Sequence, residues 1–142
     1  MLIIAGILAA VVIPSLNGSS QTYNALGFYD STKAALRYAQ KSAIAKRRTV
    51  CVAFTANGLT VTFASAFGPN TCDTNLTGPA GENPYTITSA SGSGYAAVPT
   101  NFNFNPSGQP VDTAAGLPLP TQTITFAGAK AITVNADTGY VQ

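Results

Sequence analysis

The first thirteen residues, Met1–Ile13 (MLIIAGILAAVVI), carry no polar side chain and stop at Pro14. A helix that is apolar on every face cannot lie on a protein surface; it has to be buried in lipid, in a domain core or among copies of itself. At 1.5 Å per residue the run makes about 20 Å of helix, short of the ~30 Å hydrocarbon core of a bilayer, so as it stands it does not span a membrane. It also lacks the basic n-region of a secretory signal. Two readings remain: a buried core helix, or the C-terminal part of a longer apolar helix whose upstream end lies before Met1. The small residues Ala5, Gly6, Ala9 and Ala10 let helix backbones approach closely in an apolar medium. Gly6 and Pro14 weaken the same helix, one by propensity and the other by removing a backbone donor.

Composition excludes more than it proves. A chain of 142 residues has room for one compact domain. Charged residues make up only 8%, against about 25% in an ordinary soluble domain, and Thr, Ser, Asn and Gly fill the polar positions. There is no His, which removes His-based triads, Cys-His dyads and imidazole metal sites. The carboxylates Asp30, Asp73, Glu82, Asp112 and Asp137 stand singly, with no local pair of the kind glycoside hydrolysis uses. No enzyme and no cofactor are expected. A net charge of +2 is too small for a whole-molecule field that would gather nucleic acid, so any basic partner site has to be local.

Along the chain, Asn17-Gly18-Ser19-Ser20 reads as a break or flexible joint. It divides an apolar segment, residues 1–20, from a globular domain, residues 21–142. In that domain Leu26, Tyr29, Leu36, Ala39, Ala43 and Ile44 recur at helical spacings and predict an amphipathic helix over about 21–48. Six of the seven cations, Lys33, Arg37, Lys41, Lys46, Arg47 and Arg48, fall on this helix and its end, where Lys46-Arg47-Arg48 complements the dipole. From Thr49 the period changes to two. Thr49–Thr55 and Leu59–Ala64 flank Ala56-Asn57-Gly58, a strong hairpin signal. Further strands are expected at Tyr85–Ser89, Asn101–Phe104, Gln122–Phe126, Ala131–Asn135 and Tyr140-Val141, with 65–84 and 106–120 as loops. One long helix followed by a run of strands predicts an α+β fold, the helix packed across an antiparallel sheet occupying the region 49–142.

Several stretches carry a resemblance. Gly6-Ile7-Leu8-Ala9-Ala10-Val11-Val12-Ile13-Pro14 resembles the second half of the N-terminal helix of type IV pilins and of the pseudopilins of type II secretion. Phe102-Asn103-Phe104-Asn105-Pro106-Ser107-Gly108-Gln109-Pro110 is similar to a Phe-x-x-x-Gly-x-Pro turn of the GspH/FimT-like branch. Ile132-Thr133-Val134 followed by Thr138-Gly139-Tyr140-Val141 is similar to that branch's closing hairpin, and Ala34–Thr49 has its helix-to-strand pattern. The resemblance implies the pilin fold and a structural role. The subunit would be held in the inner membrane before assembly and then packed with itself in a helical filament, extracellular or periplasmic. Leu2, Ile3, Ile4, Gly6, Ile7, Leu8, Val11, Val12, Ile13 and Pro14 would lie in the filament core. It further implies partnership with other pilins or pseudopilins and with the inner-membrane assembly machinery. A prepilin peptidase site, a methylated Phe and a register-setting Glu would stand upstream of Met1. Pilus or secretion pseudopilus, and major or minor subunit, both stay open. In an exported chain of this kind Cys51 and Cys72, the only cysteines, are expected to form a disulfide.

Two other functions fit parts of the sequence. Some FimT-like members are associated with DNA uptake through arginines after the closing Gly; here Gly139 is followed by Tyr140-Val141-Gln142, with no cation. A DNA site would instead rest on Lys41, Lys46, Arg47 and Arg48, with Tyr38 stacking, and would be weak and salt-sensitive. Adhesion to sugars or surfaces could use Tyr85, Tyr95, Phe102 and Phe104, although core packing explains such residues more often. Asn135-Ala136-Asp137-Thr138-Gly139 could offer oxygens to calcium but is more simply a turn. Asn17-Gly18-Ser19 and Asn75-Leu76-Thr77 are glycosylation sequons.

Overall fold

The computed structural model describes residues 2–90, 93–128 and 130–142, with the side chains of the opening helix from Asn24 onward. That helix, α1, runs from Leu2 to Lys46 without interruption. The expected break at Asn17–Ser20 is therefore absent from the backbone. One Pro deletes a single i→i−4 bond and one Gly costs roughly 1 kcal/mol, and across 45 residues these weaken a helix without having to end it.

Among the described residues eight short strands follow: β1 (Val50–Thr55), β2 (Gly58–Phe63), β3 (Thr74–Asn75), β4 (Tyr85–Thr88), β5 (Phe102–Phe104), β6 (Pro110–Val111), β7 (Gln122–Thr125) and β8 (Ala131–Val134). The first six form one antiparallel sheet in the order β3-β2-β1-β5-β6, with β4 also on β2, while β7 and β8 form a separate pair. The fold is α+β, one N-terminal helix packed on antiparallel sheet, as the sequence pattern predicts. The Asn57-Gly58 hairpin sets Val50 opposite Phe63 and Thr55 opposite Gly58. Strands β3 and β6, each two residues long, lie in stretches read from sequence as loops. Such short bridges carry no period for a pattern to detect.

The period-two alternation sorts the sheet faces. Val50, Val52 and Phe54 of β1 point with Leu59, Val61, Phe102 and Phe104 into the core, and Ile124, Ile132, Val134 and Val141 join them from the smaller sheet. The helix closes that core through Phe28, Thr32, Ala35, Leu36, Ala39, Ser42 and Ala43, all buried. This stripe shares Leu36, Ala39 and Ala43 with the predicted one but is rotated away from Ile44, which is 48% exposed. Four small residues let β1 approach the helix closely. Phe28 packs edge-on against Tyr95 and Phe126, with ring centroids 5.1 and 5.5 Å apart, a favoured arrangement for aromatic pairs.

Candidate interaction surface

The C-terminus of α1 sets out the positive charge. The Arg48 N–H donates to the Ala43 carbonyl and the Arg47 N–H to that of Ile44, which is the Schellman pairing that satisfies the last carbonyls of a helix. Its left-handed position is occupied by Arg47 at φ 51°, where glycine is usual. Lys46 turns back over the Phe63 ring, Nζ 4.7 Å from the centroid, a cation–π contact. Lys41, Lys46 and Arg47 are exposed and Arg48 is half-buried. Lys41 and Lys46 lie five residues apart, about 140° around a helix with 3.6 residues per turn. The structure thus does not gather Lys41, Lys46, Arg47 and Arg48 on one face: Lys41 lines up with Lys33 and Arg37 at i, i+4 spacing on the opposite flank.

That flank holds the C-terminal segment. Arg37 Nε donates to the Val141 carbonyl at 3.1 Å, and Gln40 Nε2 donates to the carbonyls of Thr138 at 2.8 Å and Gly108 at 3.4 Å. Gln109 Nε2 adds a bond to the Asp137 carbonyl at 2.8 Å. The two turns singled out in the sequence, around Gly108 and Gly139, therefore meet over one glutamine of α1. Each is built by an asparagine: Asn105 Oδ1 accepts from the N–H groups of Ser107 and Gln109, and Asn135 Oδ1 from those of Asp137 and Thr138. Gly139, at φ 69°, faces the Gly108 carbonyl so closely that any side chain there would collide with it. Ile44, lying on Gly108, and Tyr140, 56% exposed, are apolar members of this flank. Gln40 was not recognisable from sequence, since an isolated Gln on a helix carries no signal. Further along, Lys33 and Lys130 both approach the Tyr29 ring, their Nζ atoms 5.7 and 5.0 Å from its centroid.

The sheet face turned away from α1 is closed at one corner by the loop after β2. Cys51 and Cys72 are joined by a disulfide across a sequence separation of 21, their Cα atoms 6.1 Å apart. Asp73 secures the base of that loop, its carboxylate accepting from the Ser65 hydroxyl and N–H. Those bonds, the hydroxyl's first, hold its pKa below the ordinary 3.8. Asn103 Nδ2 donates to the Asn70 carbonyl at 2.7 Å. The loop displays Phe67, 73% exposed.

The remaining sequence candidates fall as follows. Tyr85, Phe102 and Phe104 are buried core residues, and Tyr95 is packed among Phe28, Phe54 and Phe126. Burial pushes the Tyr95 phenol up to about 12, and the core holds Tyr85, Phe102 and Phe104 with Tyr95 packed against it. At 135–139 the Asn135 side-chain oxygen and the Asp137 carbonyl are engaged in turn and inter-turn bonds. Among the described residues no group of three or more His, Cys, Asp or Glu is placed to hold a metal ion, and no helix is long and apolar enough to cross a membrane. The side chains of Leu2, Ile3, Ile4, Gly6, Ile7, Leu8, Val11, Val12, Ile13, Pro14 and the Asn17 sequon lie outside the described residues.

Neither a curated protein nor a solved structure matches the chain. The family model for type II transport protein GspH matches residues 30–139, which is more than half of the sequence and takes in the helix face from Thr32 onward, both sheets and both asparagine-built turns.

Proposed function

The chain belongs to the GspH family of type II transport proteins, and we propose that it builds a type II secretion pseudopilus by packing the apolar half of α1 among neighbouring subunits. The family is one of structural pseudopilins, and its members act by association rather than by catalysis. The observation that carries the proposal is the length of one element. At 45 residues α1 measures about 68 Å, whereas the longest strands, of six residues, span about 20 Å. One small sheet cannot cover such a helix along its length: among the described side chains the buried stripe begins at Phe28, well after the uniformly apolar run Met1–Ile13 has ended.

Leu2, Ile3, Ile4, Gly6, Ile7, Leu8, Val11, Val12, Ile13 and Pro14 then form the filament core. Aliphatic neighbours and lipid tails solvate such side chains alike, so the segment also holds the subunit in the inner membrane before assembly. Each subunit offers one face to the next, and a head-to-tail operator that does not close produces an open fibre. Partners are other copies, other pseudopilins and the inner-membrane assembly machinery.

The test is Ile7→Asp in the full chain, co-expressed with the secretion machinery. A carboxylate among packed apolar helices is too costly to bury unpaired, so the variant subunit should vanish from sheared and pelleted filaments while its disulfide still forms. Incorporation at the wild-type level would refute the proposal. Quantifying the subunit against the others in the same filaments assigns it to shaft or end.

A further inference from the structure

At the β3 edge of the main sheet lies a cleft that filament packing through the apolar helix does not use. Tyr38 and Lys46 of α1, Phe63 of β2, and the segments carrying Asn75, Thr77 and Asn83 line an open cleft of about 470 Å³, roughly the size that small-molecule sites occupy. Its Tyr38 wall is braced within the protein. The Tyr38 hydroxyl donates to the Thr77 carbonyl at 2.8 Å, and its ring stands edge-on to Tyr85 at 5.3 Å. Phe63 is half-buried, with the Lys46 ammonium over its ring.

We propose that this cleft binds an acidic saccharide of the uronic acid type. The Tyr38 ring offers a flat surface to the C–H face of a pyranose, and the Phe63 ring holds the Lys46 ammonium at the cleft. The two asparagines each present both a donor and an acceptor, the pairing that neighbouring sugar hydroxyls require. Lys46 supplies one mobile cation for one carboxylate, and Arg47 and Arg48 directly after it offset the negative end of the α1 dipole. A phosphate-bearing ligand fits less well, because a single lysine without an arginine fork or a nest of backbone N–H groups lines the cleft. A wholly apolar ligand would leave the amides without partners.

The experiment is a calorimetric titration of the full chain in detergent solution. Its three probes are an oligogalacturonide, the neutral oligogalactoside of equal length and polyglutamate. Saturable binding of the oligogalacturonide alone is expected. Lys46→Gln should weaken it about tenfold, as loss of a charge-assisted bond does, and Phe63→Leu should weaken it comparably. Lys130→Gln, in the β7–β8 connection beside Tyr29, should leave it within about twofold, which separates the site from general attraction of polyanions. Lys46 is exposed, so its variant folds and carries the test even if Phe63→Leu does not. No saturable binding, equal binding of the neutral sugar or of polyglutamate, or an unaffected Lys46→Gln variant overturns the proposal.

Discussion

Gly139→Ala and Gly81→Ala form a matched pair in which backbone strain and crowding point in opposite directions. Gly139 sits at φ 69° and Gly81 at φ 92°. The left-handed well of an L-residue lies near 57°, so an alanine is the less strained of the two at position 139, by the backbone alone about 1 kcal/mol. Space reverses the order. A Cβ on Gly81 meets nothing within 4 Å, whereas one on Gly139 would run into the Gly108 carbonyl and come within 2.9 Å of Gln40 Nε2. Asn105 and Asn135 hold both turns rigid, so the collision is relieved only by parting them. Parting them overpacks the contact, at about 1–3 kcal/mol, and strains the bonds from Gln40 to the Thr138 and Gly108 carbonyls, worth roughly 1 kcal/mol each. Gly139→Ala should therefore cost about 3–4 kcal/mol and Gly81→Ala about 1–2. Urea unfolding of the oxidised full chain followed by far-ultraviolet circular dichroism measures both. In a Gln40→Ala background the Gly139 penalty should shrink by about 1 kcal/mol, because those bonds are already gone. A Gly139→Ala variant no less stable than Gly81→Ala would refute the reasoning.

Removing the disulfide by Cys51→Ser with Cys72→Ser, or by reduction, should lower unfolding stability by about 3 kcal/mol, the chain-entropy value for a loop of this length; a urea midpoint unchanged by reductant would contradict it. Asp73 and Asp112 are held below the ordinary aspartate value, Asp73 chiefly by the Ser65 hydroxyl and Asp112 chiefly by the Ala115 N–H. Their contribution is then present at pH values above the unfolded value near 3.8 and is lost as pH falls through the depressed folded values. Thermal midpoints should stay level down to about pH 4 and drop below it, and Asp73→Asn should flatten that drop. Arg47→Val should destabilise by about 1–2 kcal/mol, since a β-branched residue tolerates positive φ poorly, whereas Arg47→Gly should not. Equal melting temperatures for these two variants would show that the backbone there relaxes.

How far the fold could be read in advance depended on repetition. Val50–Thr55 and Gly58–Phe63 alternate over six residues around Asn57-Gly58, and they appear within one residue of their expected limits. Gln122–Thr125 and Ala131–Val134 also stand where the period-two pattern puts them. Thr74–Asn75 and Pro110–Val111 could not be anticipated, because their pairing is decided by the partner strand already in place. On the helix, Phe28 and Thr32 enter the core while Ile44 lies against Gly108 and stays half exposed; hydrophobicity alone ranks Ile44 above Thr32, but Thr32 stands on the core-facing side of α1 and Ile44 off it. The surface was less legible still. Six cations crowd one sequence segment, yet helical rotation separates Lys41 from Lys46. Tyr38 and Phe63 share a cleft only because β2 ends beside the last turns of α1.

The contacts from Arg37 and Gln40 to the chain's final residues have a mechanical meaning. They tie α1 to the end of the chain over the same turns as the buried stripe from Phe28 to Ala43, so a pull on α1 loads both sets of contacts side by side. Elements coupled in parallel share a force and yield together, whereas elements in series give way one at a time. A subunit tugged by its helix should accordingly resist up to a single rupture, with the closing hairpin moving as part of the same rigid block.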